Sequence, residues 1–399
     1  MRIVSIEPTP SPNSMKLNMD ESLPAGVRLS FSGRGAADAN ADMPDYARRV
    51  LAIEGVTGLY HAADFIAVDR HPKADWQTIL SAVRDVLGTH ETAAPQPGTS
   101  AAADAPQQPA EAWGEVNVLV QTFRSIPMQV RVNDGREERR SALPERFAAA
   151  AMKAGMASPN LIRERKLEEQ GARYGELDDI LEQVVRELDA AYDQERLDEM
   201  VKHAEQQGEQ PSPNPPEAGT AAEEAALTQR DVKEVSRQLD DADWKVRYAA
   251  LQRIKPTEDT LPLLVKALDD ANVSIRRLAT VYLGDLREPY VLPYLYRALG
   301  DASAAVRRTA GDTLSDIGDP SATPAMADAL CDANKLVRWR AARFLFEAGD
   351  ERALEALRAA RNDAEFEVRM QINMALERIE GGTAASGSVW QQMTNRPRE

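Results

Sequence analysis

Between Leu227 and Glu380 the apolar positions repeat with two periods at once. The short period is helical. Val246, Ile275, Val306, Val337 and Val368 are each followed eight residues later by Ile254, Leu283, Leu314, Leu345 and Leu376, which puts both members of each pair on one helix face. The long period is 29 to 31 residues: Leu239-Asp-Asp-Ala-Asp-Trp-Lys-Val-Arg247 returns from Leu268 to Arg276, Leu299 to Arg307, Leu330 to Arg338 and Arg361 to Arg369. Pro262, Pro293 and Pro324 fall at matching places near the first turn of a helix, where a missing N–H costs nothing. A helix pair of this length cannot bury its apolar side alone. The five units are therefore expected to stack as an α-solenoid over 227–380.

Upstream the period changes. Residues 1–88 read as a small α+β domain. Alternation over Met15–Met19 and Val27–Phe31 predicts two strands joined through Pro24-Ala-Gly26, and a helix follows from about Pro44. Gly58–His61 and Phe65–Val68 predict a second strand pair, and Asp75 is placed to cap a helix through Trp76, Ile79, Val83 and Leu87. Residues 89–112 turn to Ala, Pro, Gln, Gly and Ser without periodicity and read as a linker. A middle α+β domain over 113–206 opens on a hairpin, Val116–Thr122 with Met128–Val132. A third strand over Arg136–Ser141 suits the spacing but is opposed by its charge. Helices are then expected at Glu145–Ala154, around Asn160–Gln170, and as one long element from Leu177 to about Gln206. The last carries the stripe Ile180, Leu181, Val184, Leu188, Ala191, Tyr192 and Leu197. Residues 207–226, with Pro211-Ser-Pro-Asn-Pro-Pro216, read as an extended linker, and 381–399 as a loose tail bearing Trp390.

Charge narrows the partners. Nearly half of the net charge of −16 falls in the two linkers, and none of the three domains has a basic total, which argues against nucleic acid. There is no run of about 18 apolar residues and no cleavable hydrophobic leader, so a soluble cytoplasmic protein without membrane contact is expected. The single Cys331 excludes an internal disulfide and is expected to pack as a small apolar group.

Three resemblances follow from these residues. The repeats, through their Asp-Ala and Val-Arg positions, resemble short HEAT-like repeats of the bilin-lyase type. Thr9-Pro-Ser-Pro-Asn-Ser-Met-Lys16, Ile53-Glu-Gly-Val-Thr-Gly58, Asp64-Phe-Ile66 and Asp75-Trp76 resemble the N-terminal domain of Nfu/NifU-type proteins. That family's cluster-binding Cys-x-x-Cys domain has no counterpart in this sequence, and one thiolate cannot hold a cluster by itself. Trp113-Gly-Glu-Val-Asn-Val118, Gln121-Thr-Phe-Arg124, Pro127-Met-Gln-Val130, Glu164-Arg-Lys166 and Arg173-Tyr-Gly-Glu176 resemble the middle domain of the conserved virulence factor C family, which is built in this same domain order. The resemblance implies a link to iron–sulfur assembly or virulence regulation and supplies no mechanism.

Candidate chemistry is thin. The pairs Asp241/Arg247, Asp270/Arg276, Asp301/Arg307, Asp332/Arg338 and Asp363/Arg369 occur once per unit and are read as structural, with aspartate at a helix start and arginine stacking across repeats. His61, His71, His90 and His203 lie outside the solenoid and are not spaced as a ligand set, so no metal or cofactor is expected. Arg173-Tyr-Gly-Glu176 reads either as an active loop or as a charged helix start. Variable positions on the second helices are the candidate protein- or peptide-binding row: Tyr248, Arg277, Arg308, Trp339, Arg343 and Met370. The expectation is a non-catalytic scaffold that binds a macromolecule, with no small-molecule substrate evident. The alternative is an enzyme or metallocentre chaperone of the lyase-like HEAT class with its chemistry in the middle domain.

Overall fold

The computed structural model describes residues 1–9, 11–24, 26–32, 43–88, 114–135, 137–156, 163–206 and 229–383. Trp113, Trp390, His90, the segments expected as linkers over 89–112 and 207–226, and residues 384–399 of the expected tail 381–399 lie outside them. The fold is the multidomain one expected: an α+β N-terminal domain, a middle sheet domain and C-terminal HEAT-like helical repeats. The described residues form two compact units, one within 1–115, 134–135 and 326–383, the other within 116–133 and 137–325. The first repeats thus belong to the unit of the middle domain and the last to the unit of the N-terminal domain.

In the N-terminal domain the described strands are β1 (Ile3–Pro8), β2 (Ser14–Met19), β3 (Arg28–Ser32), β4 (Val56–Ala62) and β5 (Phe65–Arg70). They pair in the order β1-β2-β5-β4-β3. Strand β1 was not anticipated. The two strands joined through Pro24-Ala-Gly26 are not neighbours, because β5 and β4 lie between them. Leu17 faces Ile66 and Leu59 faces Val68 across the ladders, so alternate residues supply one apolar face. Helices α1 (Asp45–Leu51) and α2 (Trp76–Leu87) close that face with Val50, Trp76, Ile79 and Val83. The Asp75 carboxylate accepts the Thr78 N–H at 2.7 Å, as the capping pattern requires, and the Trp76 indole donates to the Pro12 carbonyl at 2.9 Å.

The middle sheet runs β8-β7-β6-β9 among the described residues, with β6 Glu115–Phe123, β7 Ile126–Asn133, β8 Glu138–Ala142 and β9 Arg165–Tyr174. The hairpin of β6 and β7 pairs Val118 with Val132 and Val120 with Val130. Its turn residues Arg124 and Ser125 both take positive φ, 47° and 67°, without being glycine. Arg124 offsets the strain by donating to Glu164 at 2.6 and 3.3 Å and to the Ala204 carbonyl at 2.6 Å. The charged third strand exists as β8, at an edge where its arginines face solvent.

Two helix expectations fail. The helix around Asn160–Gln170 is replaced, over its described part, by β9. Lys166, Glu168, Glu169 and Gln170 favour helix locally, but β6 offers an open edge and Gly171 takes φ +76°, which no helix admits. The long helix is two, α4 (Leu177–Ala191) and α5 (Gln194–Gln206). The chain leaves helix geometry at Tyr192 (φ −118°, ψ 84°), and Asp193 restarts it by accepting the Arg196 N–H at 2.8 Å. Helix α3 (Glu145–Gly155) forms as expected, and its Phe147 and Ala151 join the core with Val118, Val130, Ile180, Val184 and Leu197.

The repeats comprise α6 (Gln229–Gln238), α7 (Trp244–Gln252), α8 (Leu261–Ala267), α9 (Val273–Leu286), α10 (Leu292–Leu299), α11 (Ala304–Ile317), α12 (Thr323–Asp328), α13 (Lys335–Glu347), α14 (Leu354–Ala359) and α15 (Phe366–Glu380). Ile275, Val306, Val337 and Val368 are buried as the eight-residue spacing demands, while Val246 in the first repeat is 37 % exposed. The Asp/Arg pairs are structural, and their geometry is a ladder. Arg247 donates through Nε and Nη2 to Asp270 of the next repeat at 2.7 and 2.8 Å, and through Nη1 to the Asp241 and Ala242 carbonyls of its own. Arg276 treats Asp301, and Arg338 treats Asp363, in the same way. Each aspartate also accepts a backbone N–H two residues on, at Asp243, Asn272, Ser303, Asn334 and Glu365, which sets the turn before the second helix. The arginine therefore joins one repeat's turn to the next repeat's carboxylate.

Candidate functional site

The six residues of the candidate row are placed on the second helices as the repeat demands, and none of them is exposed. Their partners are in the chain itself. In the unit of the middle domain, Tyr248 on α7 and Arg277 on α9 meet Glu187 of α4. Glu187 is 4 % exposed and its carboxylate is saturated with donors. Oε2 accepts from Arg173 at 2.6 Å and from Arg277 at 3.3 Å, and Oε1 accepts from the Ser274 hydroxyl at 2.8 Å and from Gln183 at 3.0 Å. Burial pushes the Glu187 carboxyl up, but the charges of Arg277 and Arg173 and the hydrogen bonds together overcome it and hold the pKa at about 2. The Tyr248 hydroxyl is driven the other way, above the usual phenol range, by burial and then by the Glu187 charge. Arg308 on α11 lies over the Tyr174 ring at the end of β9, with its Nε 3.7 Å from Asp312.

The other half of the row lies in the unit of the N-terminal domain. Arg343 on α13 pairs with Glu347 at 2.6 Å and donates to the Thr9 carbonyl at 2.6 Å, inside the Thr9–Lys16 motif. Met370 and Phe366 on α15 pack against the apolar core of the N-terminal domain. Trp339 is 1 % exposed with the Arg340 guanidinium over its ring. Beside them Arg70 of β5 pairs with Glu367 of α15 at 2.5 Å, donates to the Ala74 carbonyl at 2.9 Å and lies over the Trp76 ring. Burial raises the Glu367 carboxyl above its ordinary range, and the single charge of Arg70 does not reverse it.

Glu187, Ser274, Arg70 and Glu367 were not among the sequence candidates. Glu187 left a signal: it follows Ile180 and Val184 on the apolar stripe of α4, where a carboxylate needs a buried partner. Cys331 is a correction. It is exposed, not packed, because it ends a short 3₁₀ turn (Ala329–Cys331) at the repeat position held elsewhere by Asp240, Asp269 and Gly300. His61 and His71 are buried in the N-terminal domain, and the Tyr46 hydroxyl is 2.6 Å from His61 Nδ1. Among the described residues no helix is long and apolar enough to cross a membrane.

Comparison with known proteins assigns a family to each part. Residues 4–94 match the N-terminal domain of Nfu/NifU scaffold proteins, 121–201 match a virulence factor family, and 232–310 and 296–377 match HEAT repeats. The chain is 52 % identical over 394 residues to the uncharacterized protein YpgR of Bacillus subtilis, covering 99 % of this chain and 98 % of that one. It is 43 % identical over 403 residues to conserved virulence factor C of Staphylococcus aureus, covering 99 % and 100 %. Among solved structures, protein SAV1430 of Staphylococcus aureus matches at 32 % identity and a TM-score of 0.20, covering 22 % of this chain and 98 % of that one.

Proposed function

The chain belongs to the conserved virulence factor C family, and from that premise we propose that it is a non-catalytic scaffold whose solenoid organises the two sheet domains for a protein partner. One observation carries the reading. The row that a solenoid ordinarily offers to a ligand ends here on residues of the same chain, Arg277 on Glu187 and Arg343 on Thr9. In this reading each part of the row fastens the sheet domain of its own unit, and an external macromolecule engages the surfaces left over. The Nfu-type domain is the natural contact for a component of iron–sulfur assembly.

Isolation of the tagged chain from its own host at native abundance tests this. A stoichiometric partner is expected, lost when residues 1–88 are deleted. A preparation that is free of partners under cross-linking removes the scaffold reading. Metal analysis and absorption spectra of protein isolated anaerobically address catalysis separately, since a coloured or metal-loaded sample points to chemistry in place of scaffolding.

A further inference from the structure

The middle-domain face of α9 and α11 holds more hydrogen-bonding cation than its own carboxylates take up. Arg173 commits Nη2 to Glu187 and leaves Nη1 without a hydrogen-bond partner. Arg277 commits Nη2 to the same oxygen and leaves Nε without one. The Nε of Arg308 is likewise unpartnered, since its 3.7 Å approach to Asp312 is too long for a hydrogen bond. All three nitrogens are withdrawn from solvent, where an N–H of a charged group without an acceptor is costly. The side chains nevertheless keep 17 %, 19 % and 11 % of their exposure, so the cluster is not sealed. Like charge adds to the cost. The guanidinium of Arg277 is pushed below its ordinary range by burial and then by Arg173, and only in part restored by Glu187.

We propose that Arg173, Arg277 and Arg308 form a binding site for a small tetrahedral oxyanion, a free phosphate or the phosphoryl end of a small metabolite. The spare donors come from three elements, β9, α9 and α11, which suits oxygens pointing in several directions; a planar carboxylate is satisfied by one guanidinium fork. The small residual exposure admits a terminal group and not the side of a polymer. The same assignment resolves Arg173-Tyr-Gly-Glu176: Arg173 supplies a donor and Tyr174 carries Arg308 on its ring.

The test is calorimetry and thermal unfolding of the full chain with inorganic phosphate, against sodium chloride at matched ionic strength, with glycerol 3-phosphate as a second probe. Saturable binding of phosphate is expected, with a rise in unfolding temperature that chloride does not reproduce. Tighter binding of glycerol 3-phosphate identifies a metabolite as the source, and equal or weaker binding identifies free phosphate. Arg308→Gln, which leaves the Glu187 cluster intact, is expected to weaken binding at least tenfold while the variant stays folded. Arg173→Gln should do the same. Absence of a phosphate-specific response, or a wild-type response from folded Arg308→Gln, overturns the site.

Discussion

At α9 one buried carboxylate, Glu187, answers two guanidiniums and two neutral donors; at α15 one buried carboxylate, Glu367, answers a single guanidinium. Both belong to places where a solenoid helix receives a sheet domain, and both are nearly dry, yet their carboxyls move in opposite directions. Two nearby cations outweigh desolvation at Glu187 and one does not at Glu367. The second contact has other support: Phe366 and Met370 enter the N-terminal core, and Arg70 has the Ala74 carbonyl and the Trp76 face besides its carboxylate. The repeats thus meet the middle domain at a saturated charge node and the N-terminal domain at a single ion pair backed by apolar packing.

Removal of each carboxylate in turn separates the two contacts most strongly. Glu187→Ala leaves Arg173 and Arg277 buried without a counter-charge and is expected to cost about 3–5 kcal/mol, seen as lost hydrogen-exchange protection in α4 and α9. Glu367→Ala should cost about half as much in α15, because Arg70 keeps its other contacts. Equal losses would show that the two contacts are built alike.

Acid separates them by sign. The pKa of Glu187 is depressed, so its contribution is complete above the ordinary glutamate value near 4.5 and is lost as pH falls toward about 2, about 3 kcal/mol in all. The pKa of Glu367 is raised, so its penalty is present at neutral pH and is relieved as pH falls through the folded value. Hydrogen exchange stepped from pH 6 to pH 3 should therefore show α9 loosening while α15 holds or tightens. Parallel loosening would contradict the assignment.

Two further variants probe what the units share. Arg276→Leu and Arg338→Leu each remove one bidentate rung and two carbonyl contacts, and should cost the same, about 2–3 kcal/mol, in chemical denaturation. A difference above about 1 kcal/mol would mean that the ladder depends on which domain it flanks. Gly284→Ala is smaller and local to one unit. An added Cβ would come within 2.4 Å of the Thr313 methyl where α9 meets α11, and the expected cost is about 1–2 kcal/mol in thermal unfolding.

Legibility in the sequence followed the range of the interaction. The Asp-Ala and Val-Arg positions were readable because each repeat restates the same local demand, an aspartate that sets a turn and an arginine six residues later that ties it down. The N-terminal strands were readable from alternation, although their order was not, since β2 pairs with β5 across about fifty residues. Strand β9 was misread because its lysines and glutamates favour helix in isolation, and only the free edge of β6 decides otherwise. The candidate row was found by position, but its partners were not. Nothing near Arg277 in sequence indicates Glu187, ninety residues earlier. A carboxylate on the apolar stripe of α4 announced that a cation was needed without saying whose.

The arginine ladder carries an implication for how such a chain can change length. Arg247, Arg276 and Arg338 each reach forward to a carboxylate that the following repeat supplies at the same offset, so a repeat that restates this pattern could follow any of them and meet its arginine with an equivalent aspartate. Length is therefore cheap to vary along the spine, whereas identity is fixed on the side chains that meet the sheet domains. A repeat bearing Arg277 cannot trade places with one bearing Met370, and the pair of domains acts as an address that tells otherwise interchangeable modules where they belong.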